Sequence, residues 1–200
     1  MGGALAAGGC ASSLLGGCAG APASPIRRPV TDLVLTVGSL PFPGFVVERG
    51  SPSAGYYSNQ RLAGHDTALL RALESAGRIT GFEADFDRAA SPQQAVGPVV
   101  IESSAATYRT AAGAATGLGL VAKQARANGG TQISTGKLGD GGIGFSLQKQ
   151  FAGTSYEAFI VAWRQNNVVG GIQIEGNAAT LDISYALTLA DLQQRLIGAA

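Results

Sequence analysis

One histidine, His65, stands in the string Gly64-His65-Asp66 of a 200-residue chain. Imidazole is the usual general base of a serine-type hydrolase, where it needs a nucleophile and an orienting carboxylate beside it. No Gly-x-Ser-x-Gly elbow accompanies it, so His65 reads as a polar residue near a helix start. Three carboxylates, Glu83, Asp85 and Asp87, alternate in the string RITGFEADFDR. On a strand they project from one face at steps of about 7 Å, within reach of a shared hard cation such as calcium. Calcium loops bend around their ion and a straight strand does not, so the expectation is a solvated acidic face beside Arg78 and Arg88. The run from Gly117 to Ala122, GLGLVA, matches the Gly-x-Gly-x-x-Ala dinucleotide fingerprint in letters. Ala-rich sequence precedes it where the fingerprint needs a strand. Gly136-Lys137-Leu138-Gly139 lacks the Gly-Lys-Ser/Thr end of a phosphate loop. Trp163, Phe159 and Tyr156 sit in an almost wholly apolar run and read as core. The two cysteines are at 10 and 18, so from residue 19 onward neither a disulfide nor a cysteine zinc site can be built. This inventory yields no catalytic residue, no metal site and no cofactor.

Composition agrees with that bland chemistry. Lys plus Arg is 14 and Asp plus Glu is 13, a net charge of +1. That balance carries no electrostatic footprint for nucleic acid. Hydrophobic residues are 46% of the chain, which excludes disorder of the whole.

The N-terminal segment, MGGALAAGGCASSLLGGCAGAPASPIRRPV, holds no charged side chain before Arg27. Its apolar run to Gly17 is about seventeen residues, short for a spanning helix, which needs about 20. A signal peptide needs only such a core followed by small residues. Leu15-Gly16-Gly17-Cys18 resembles the lipobox of bacterial lipoprotein signal peptides. The resemblance implies cleavage between Gly17 and Cys18 and a diacylglyceryl group on the Cys18 thiol. Two or three acyl chains hold a protein on a bilayer durably, where one would not. Cys10, after Ala7-Gly8-Gly9, matches the pattern poorly. No Lys or Arg precedes the apolar run, a departure that a start upstream of Met1 would explain. The expected organisation is a signal peptide over 1–17, a Pro-stiffened tether over 18–30, and one domain over 31–200. A domain of about 170 residues buries roughly 70% of its extended surface, enough for a proper core.

Within that domain, Leu33 to Val37 reads as a short strand or an extended entry, followed by a Pro-rich turn and a further extended piece at Val46 and Val47. Leu62, Leu69, Leu70 and Leu73 predict one helix ending near Gly77. Strands are expected over Arg78 to Arg88, Val99 to Ala105, Gln132 to Leu138, Ile143 to Gln150, Tyr156 to Arg164 and Val168 to Glu175. The last two form a hairpin in which Asn166 and Asn167 supply positive φ. An Ala-rich helix is expected over Thr107 to Arg126, stopped by Asn128-Gly129-Gly130. A C-terminal helix starts at Thr188 with Asp191, and Tyr185, Leu189, Leu192 and Leu196 trace its buried stripe. A late antiparallel meander with segregated helices gives the fold class α+β, an antiparallel β-sheet packed with helices.

The order of elements is similar to the PsbP-like sandwich of small lipid-anchored envelope proteins. Leu40-Pro41-Phe42-Pro43-Gly44-Phe45 resembles the LP-x-GF entry of related bacterial lipoproteins, with one extra residue. Gly77-Arg78-Ile79-Thr80-Gly81-Phe82 resembles their GR-[VI]-x-G-[FY] strand, and Ala162 to Val169, AWRQNNVV, their FRRGNVV hairpin. Gly139-Asp140-Gly141-Gly142 departs from a more acidic turn at that place. The likeness spans about residues 38 to 198 and brings no catalytic residue with it. The leading expectation is a non-catalytic, membrane-anchored envelope lipoprotein acting as a binding or assembly module, its sheet face shown to a partner such as an envelope protein or to a bound ligand. The alternative is a carrier of a lipid or other apolar ligand, its cavity lying between the sheet and the helix from Thr107, where small side chains leave room. A hydrolase using His65 is the remaining alternative.

Overall fold

The computed structural model describes residues 24–89, 96–151 and 154–199. Eight strands form one sheet: β1 (Phe45–Val47), β2 (Gly55–Tyr57), β3 (Arg78–Arg88), β4 (Pro98–Tyr108), β5 (Thr131–Ile133), β6 (Gly141–Phe151), β7 (Thr154–Gln165) and β8 (Val168–Asn177). The order is β1-β3-β4-β8-β7-β6-β5, with β2 also on β3, and the pairs are antiparallel. Four helices pack on it: α1 (Asn59–Ala63), α2 (Thr67–Ser75), α3 (Ala111–Ala127) and α4 (Ile183–Gly198). The protein is α+β.

Strand alternation gives the sheet two unlike faces. Phe86, Ile101, Ile174 and Phe159 stand opposite one another across four strands. With Val161, Trp163 and Ile172 they meet Ala186, Leu189, Ala190 and Ile197 of α4, and Leu33 to Leu35, in the main core. The other face carries Asp85, Glu102 and Gln173 in one row and Glu83, Ser104 and Gly171 in the next. Helix α3 covers part of it through Ala106, Tyr108 and Val169 at one end and Phe145 at the other.

Several boundaries move from the sequence reading. The docked chain begins by Ser24, earlier than Thr31. Asn167 accepts from Ile26 N at 2.7 Å and donates to Ile26 O at 3.2 Å, Asn166 donates to Ser24 O, and Val30 is buried. Of the two readings of Leu33 to Val37 the extended entry holds and the strand does not: Val34 and Thr36 are extended between 3-10 turns at Val30–Leu33 and Val37–Ser39. The single helix expected through Leu62 and Leu73 is two. Gly64 breaks it at φ 54, and Asp66 caps α2 by accepting from Ala68 N and Leu69 N, both at 2.9 Å. The strand from Gln132 shortens to β5, and β4 runs on to Tyr108, so Thr110 caps α3. At the β7–β8 turn only Asn166 has positive φ; Asn167 is instead buried beneath the N-terminal segment. Helix α4 starts at Asp182, which accepts from Ser184 N at 2.8 Å, six residues before Thr188.

Candidate ligand cleft

Helices α2 and α3 touch where Ala76, at the end of α2, packs on Gly113 and Ala114, and beyond that contact a cleft of about 530 Å³ opens between them over the polar face of the sheet. That volume falls within the range of small-molecule sites, ~300–1,000 Å³. Its walls are mainly apolar, Leu69 and Leu73 on α2 and Leu120 and Val121 on α3, with Asp66, Gln124 and Asn128 among them. Its floor is the polar face, with Glu83, Glu102, Ser104 and Gln173, and Arg78, Tyr57 and Tyr108 at one end.

Glycine shapes that end. A Cβ on Gly117 would lie 2.1 Å from the Tyr108 hydroxyl, and one on Gly113 would lie 2.0 Å from the Ala76 carbonyl oxygen. The small residues of α3 therefore let its first half settle onto Tyr108. The space they leave is filled, and the opening lies further along, where α3 presents Leu120 and Val121. Gly81 does the same for the floor: a Cβ there would come within 2.3 Å of Arg78 Nη2 and 2.6 Å of the Tyr57 ring.

Arg78 opens β3, and a bulge between Arg78 and Thr80 shifts its register against β4. It is 5% exposed. Nη1 donates to Asn59 Oδ1 at 2.9 Å and to Tyr57 O at 3.3 Å, and the guanidinium lies 4.7 Å from the Tyr57 ring centroid. Burial pushes the Tyr57 and Tyr108 phenols above their usual range, and the adjacent guanidinium partly offsets this.

The acidic strand face differs from its expectation. Asp85 is 2% exposed, not solvated: Ser51 and Ser53 of the β1–β2 loop donate to its Oδ2. Arg61 of α1 holds that loop by donating to the carbonyls of Pro52, Ser53, Ala54 and Tyr56. Under the same cover Glu83 is pushed up to about 7, first by burial and then by the neighbouring Asp85 charge. No group of three or more metal-ligating side chains converges among the described residues.

The remaining sequence candidates are dispersed. His65 is exposed in the turn between α1 and α2, and its side chain bonds no hydroxyl or carboxylate among the described residues. Gly117 to Ala122 lies inside α3, so it forms no phosphate-binding loop. Gly136 to Gly139 is the irregular link between β5 and β6. Trp163 is fully buried against α4, with Phe159 in the same core. Cys18 and Cys10 lie outside the described residues. Arg78, Tyr57 and Tyr108 escaped the sequence reading as a group because they belong to three strands. The one available signal was an arginine at the start of a half-apolar strand, and that reads equally well as a surface residue.

The fold has a solved counterpart. The crystal structure of the extracellular domain of PknH from Mycobacterium tuberculosis matches with a TM-score of 0.60, over 88% of this chain and 99% of that one. Identity is 11%, so the likeness is one of fold. No family model matches the chain, and no curated protein matches it. No helix among the described residues is long and apolar enough to cross a membrane.

Proposed function

We propose that this protein is a non-catalytic, lipid-anchored binding module of the cell envelope, and that the cleft between α2 and α3 is where it binds an apolar ligand. The observation that carries the binding reading is the cleft itself. A 530 Å³ opening with leucine and valine walls over a sheet face is a place where burying a ligand's apolar surface gains free energy. Support for the anchor is the Leu15-Gly16-Gly17-Cys18 string. Support for extracytoplasmic placement is that string together with a fold shared with an extracellular domain. The absence of a catalytic role is inferred from His65, which stands apart from the cleft lining and from any orienting group among the described residues.

The cleft is tested by native mass spectrometry of the full chain, alone and with Val121→Trp, which fills the opening from the α3 side. An apolar adduct is expected on the unsubstituted chain and none on the variant. Empty spectra for both, or an adduct that survives Val121→Trp, would overturn the reading. The anchor is tested separately by intact mass and membrane fractionation of Cys18→Ala. A shift to the soluble fraction supports it, and an unacylated native chain counts against it.

A further inference from the structure

Arg78 is the most buried charged side chain that the cleft exposes to a ligand, and its partners are all neutral. Its hydrogen bonds go to a backbone carbonyl and an amide oxygen, the phenol oxygens of Tyr57 and Tyr108 lie within its reach as further neutral acceptors, and its flat face meets an aromatic ring. Among the described residues no carboxylate forms an ion pair with it. An arginine side chain is a permanent cation. Removing one from water without a counter-charge is costly unless something supplies the missing anion. Two glycines, Gly81 and Gly117, give up their side chains to make room for this guanidinium and for the Tyr108 hydroxyl beside it. Arg78, Tyr57 and Tyr108 all line the cleft, at one end of a channel whose walls are mainly leucine and valine.

We infer that the cleft takes an anionic amphiphile, its apolar chain between α2 and α3 and its carboxylate or phosphate head on Arg78, flanked by the hydroxyls of Tyr57 and Tyr108. The planar fork of a guanidinium matches such a head with two parallel hydrogen bonds, and phenols donate to the remaining oxygens. Desolvation by the ligand's own chain strengthens that pairing. Three carboxylates also line the cleft, and each is compatible with an anion: burial holds Glu83 partly in the protonated, donor form near neutral pH, Asp66 is engaged in capping α2, and Glu102 has a partner of its own. This inference rests on the cleft being the binding site, and it adds the charge and place of the head group.

A ligand series decides it on the full chain carrying Cys18→Ala, so that no acyl group of the protein's own competes. Tetradecanoate, tetradecanol and tetradecyltrimethylammonium, each below its aggregation threshold, are titrated calorimetrically alongside acetate. Tetradecanoate should bind at least tenfold more tightly than the alcohol, the ammonium more weakly than the alcohol, and acetate not measurably. Arg78→Gln should abolish the preference for the acid while leaving the alcohol bound. Equal affinity for acid and alcohol, or tighter binding of the ammonium, overturns the head-group assignment and leaves the cleft reading standing. Acetate binding as tightly as tetradecanoate overturns the amphiphile in favour of a free anion. Binding of none of the four overturns both readings. Should Arg78→Gln fail to fold, the series on the otherwise unsubstituted chain still decides.

Discussion

Two glycines two residues apart on α3 show how little a residue's type says without its neighbours. Gly117 faces Tyr108 at a distance no Cβ tolerates, while Gly119 faces open space. Gly117→Ala should destabilise the fold by about 1–3 kcal/mol, the usual cost of forcing extra volume into a packed contact. Gly119→Ala should stabilise it by about 0.5–1 kcal/mol, because alanine loses less backbone entropy in a helix. Thermal or urea unfolding of both variants checks the sign, and a Gly117→Ala protein as stable as its parent would remove the close approach from the argument. Glu83 gives a pH-dependent counterpart. Its carboxyl titrates near 7 in the fold and near 4.5 in the unfolded chain. The folded state therefore holds the proton more tightly, and the stability from this group is complete below about pH 4.5 and is lost as pH rises through 7. Glu83→Gln should be the more stable protein at pH 8, by on the order of 2 kcal/mol, with the gap closing toward pH 4.5. A gap that is constant with pH would contradict the buried, protonated state.

Elements were legible in the sequence where one face is apolar and misread where a buried position is polar. The strands β3, β6, β7 and β8 alternate or run apolar, and they lie where the pattern puts them, within two or three residues. Helix α4 shows the opposite case. The letters suggest a stripe of Tyr185, Leu189, Leu192 and Leu196, but the fully buried side is Ala186, Leu189, Ala190, Gln193 and Ile197. A glutamine at the centre of that side hides it. Gln193 is inside because it stitches three segments together: it donates to Leu33 O at 2.9 Å and Ser104 O at 2.8 Å and accepts from Ser103 at 3.1 Å. The cleft was half legible. The Ala/Gly-rich helix located it, but its polar end needs side chains from β2, β3 and β4, and no local pattern joins those. The N-terminal segment was missed because Ala, Ser and Pro resemble a linker; its attachment depends on Asn167, 141 residues away from Ile26. Asn167→Ala should cost about 1–3 kcal/mol, since it leaves backbone groups of Ile26 and Tyr108 without their buried partner. It should also raise amide exchange at Ile26 ahead of the rest of the sheet. Unchanged exchange there would mean that the segment is held by Val30 and Ile26 packing alone.

At the scale of the whole molecule, the attachment of Ser24 sets which end of the sheet the proposed anchor would face. Ser24 and Ile26 sit on the β7–β8 turn, at the end of the sheet that also holds Arg78, Tyr108 and the start of β6. The opposite end holds Gly97, Asn177 and the start of α4. With Cys18 acylated as proposed, six residue steps separate the lipid from Ser24, a reach of about 20 Å at full extension. A ten-residue strand is about 33 Å long, so with the strands standing off the surface the near end can be held within that reach and the far end cannot. With that anchor the Arg78 end of the cleft would be the membrane-side end, which would place an anionic head group nearest the bilayer it leaves or enters. Fluorophores attached at Lys137→Cys, beside the near end, and at Ala179→Cys, on the far end, should differ in quenching by lipids carrying a headgroup quencher, with position 137 the more quenched. Lengthening the segment between Ala21 and Pro22 by some twenty flexible residues should erase the difference, because the leash then spans the molecule in any orientation. Equal quenching with the natural spacing would separate the docked segment from any orienting role and leave the cleft with no preferred side.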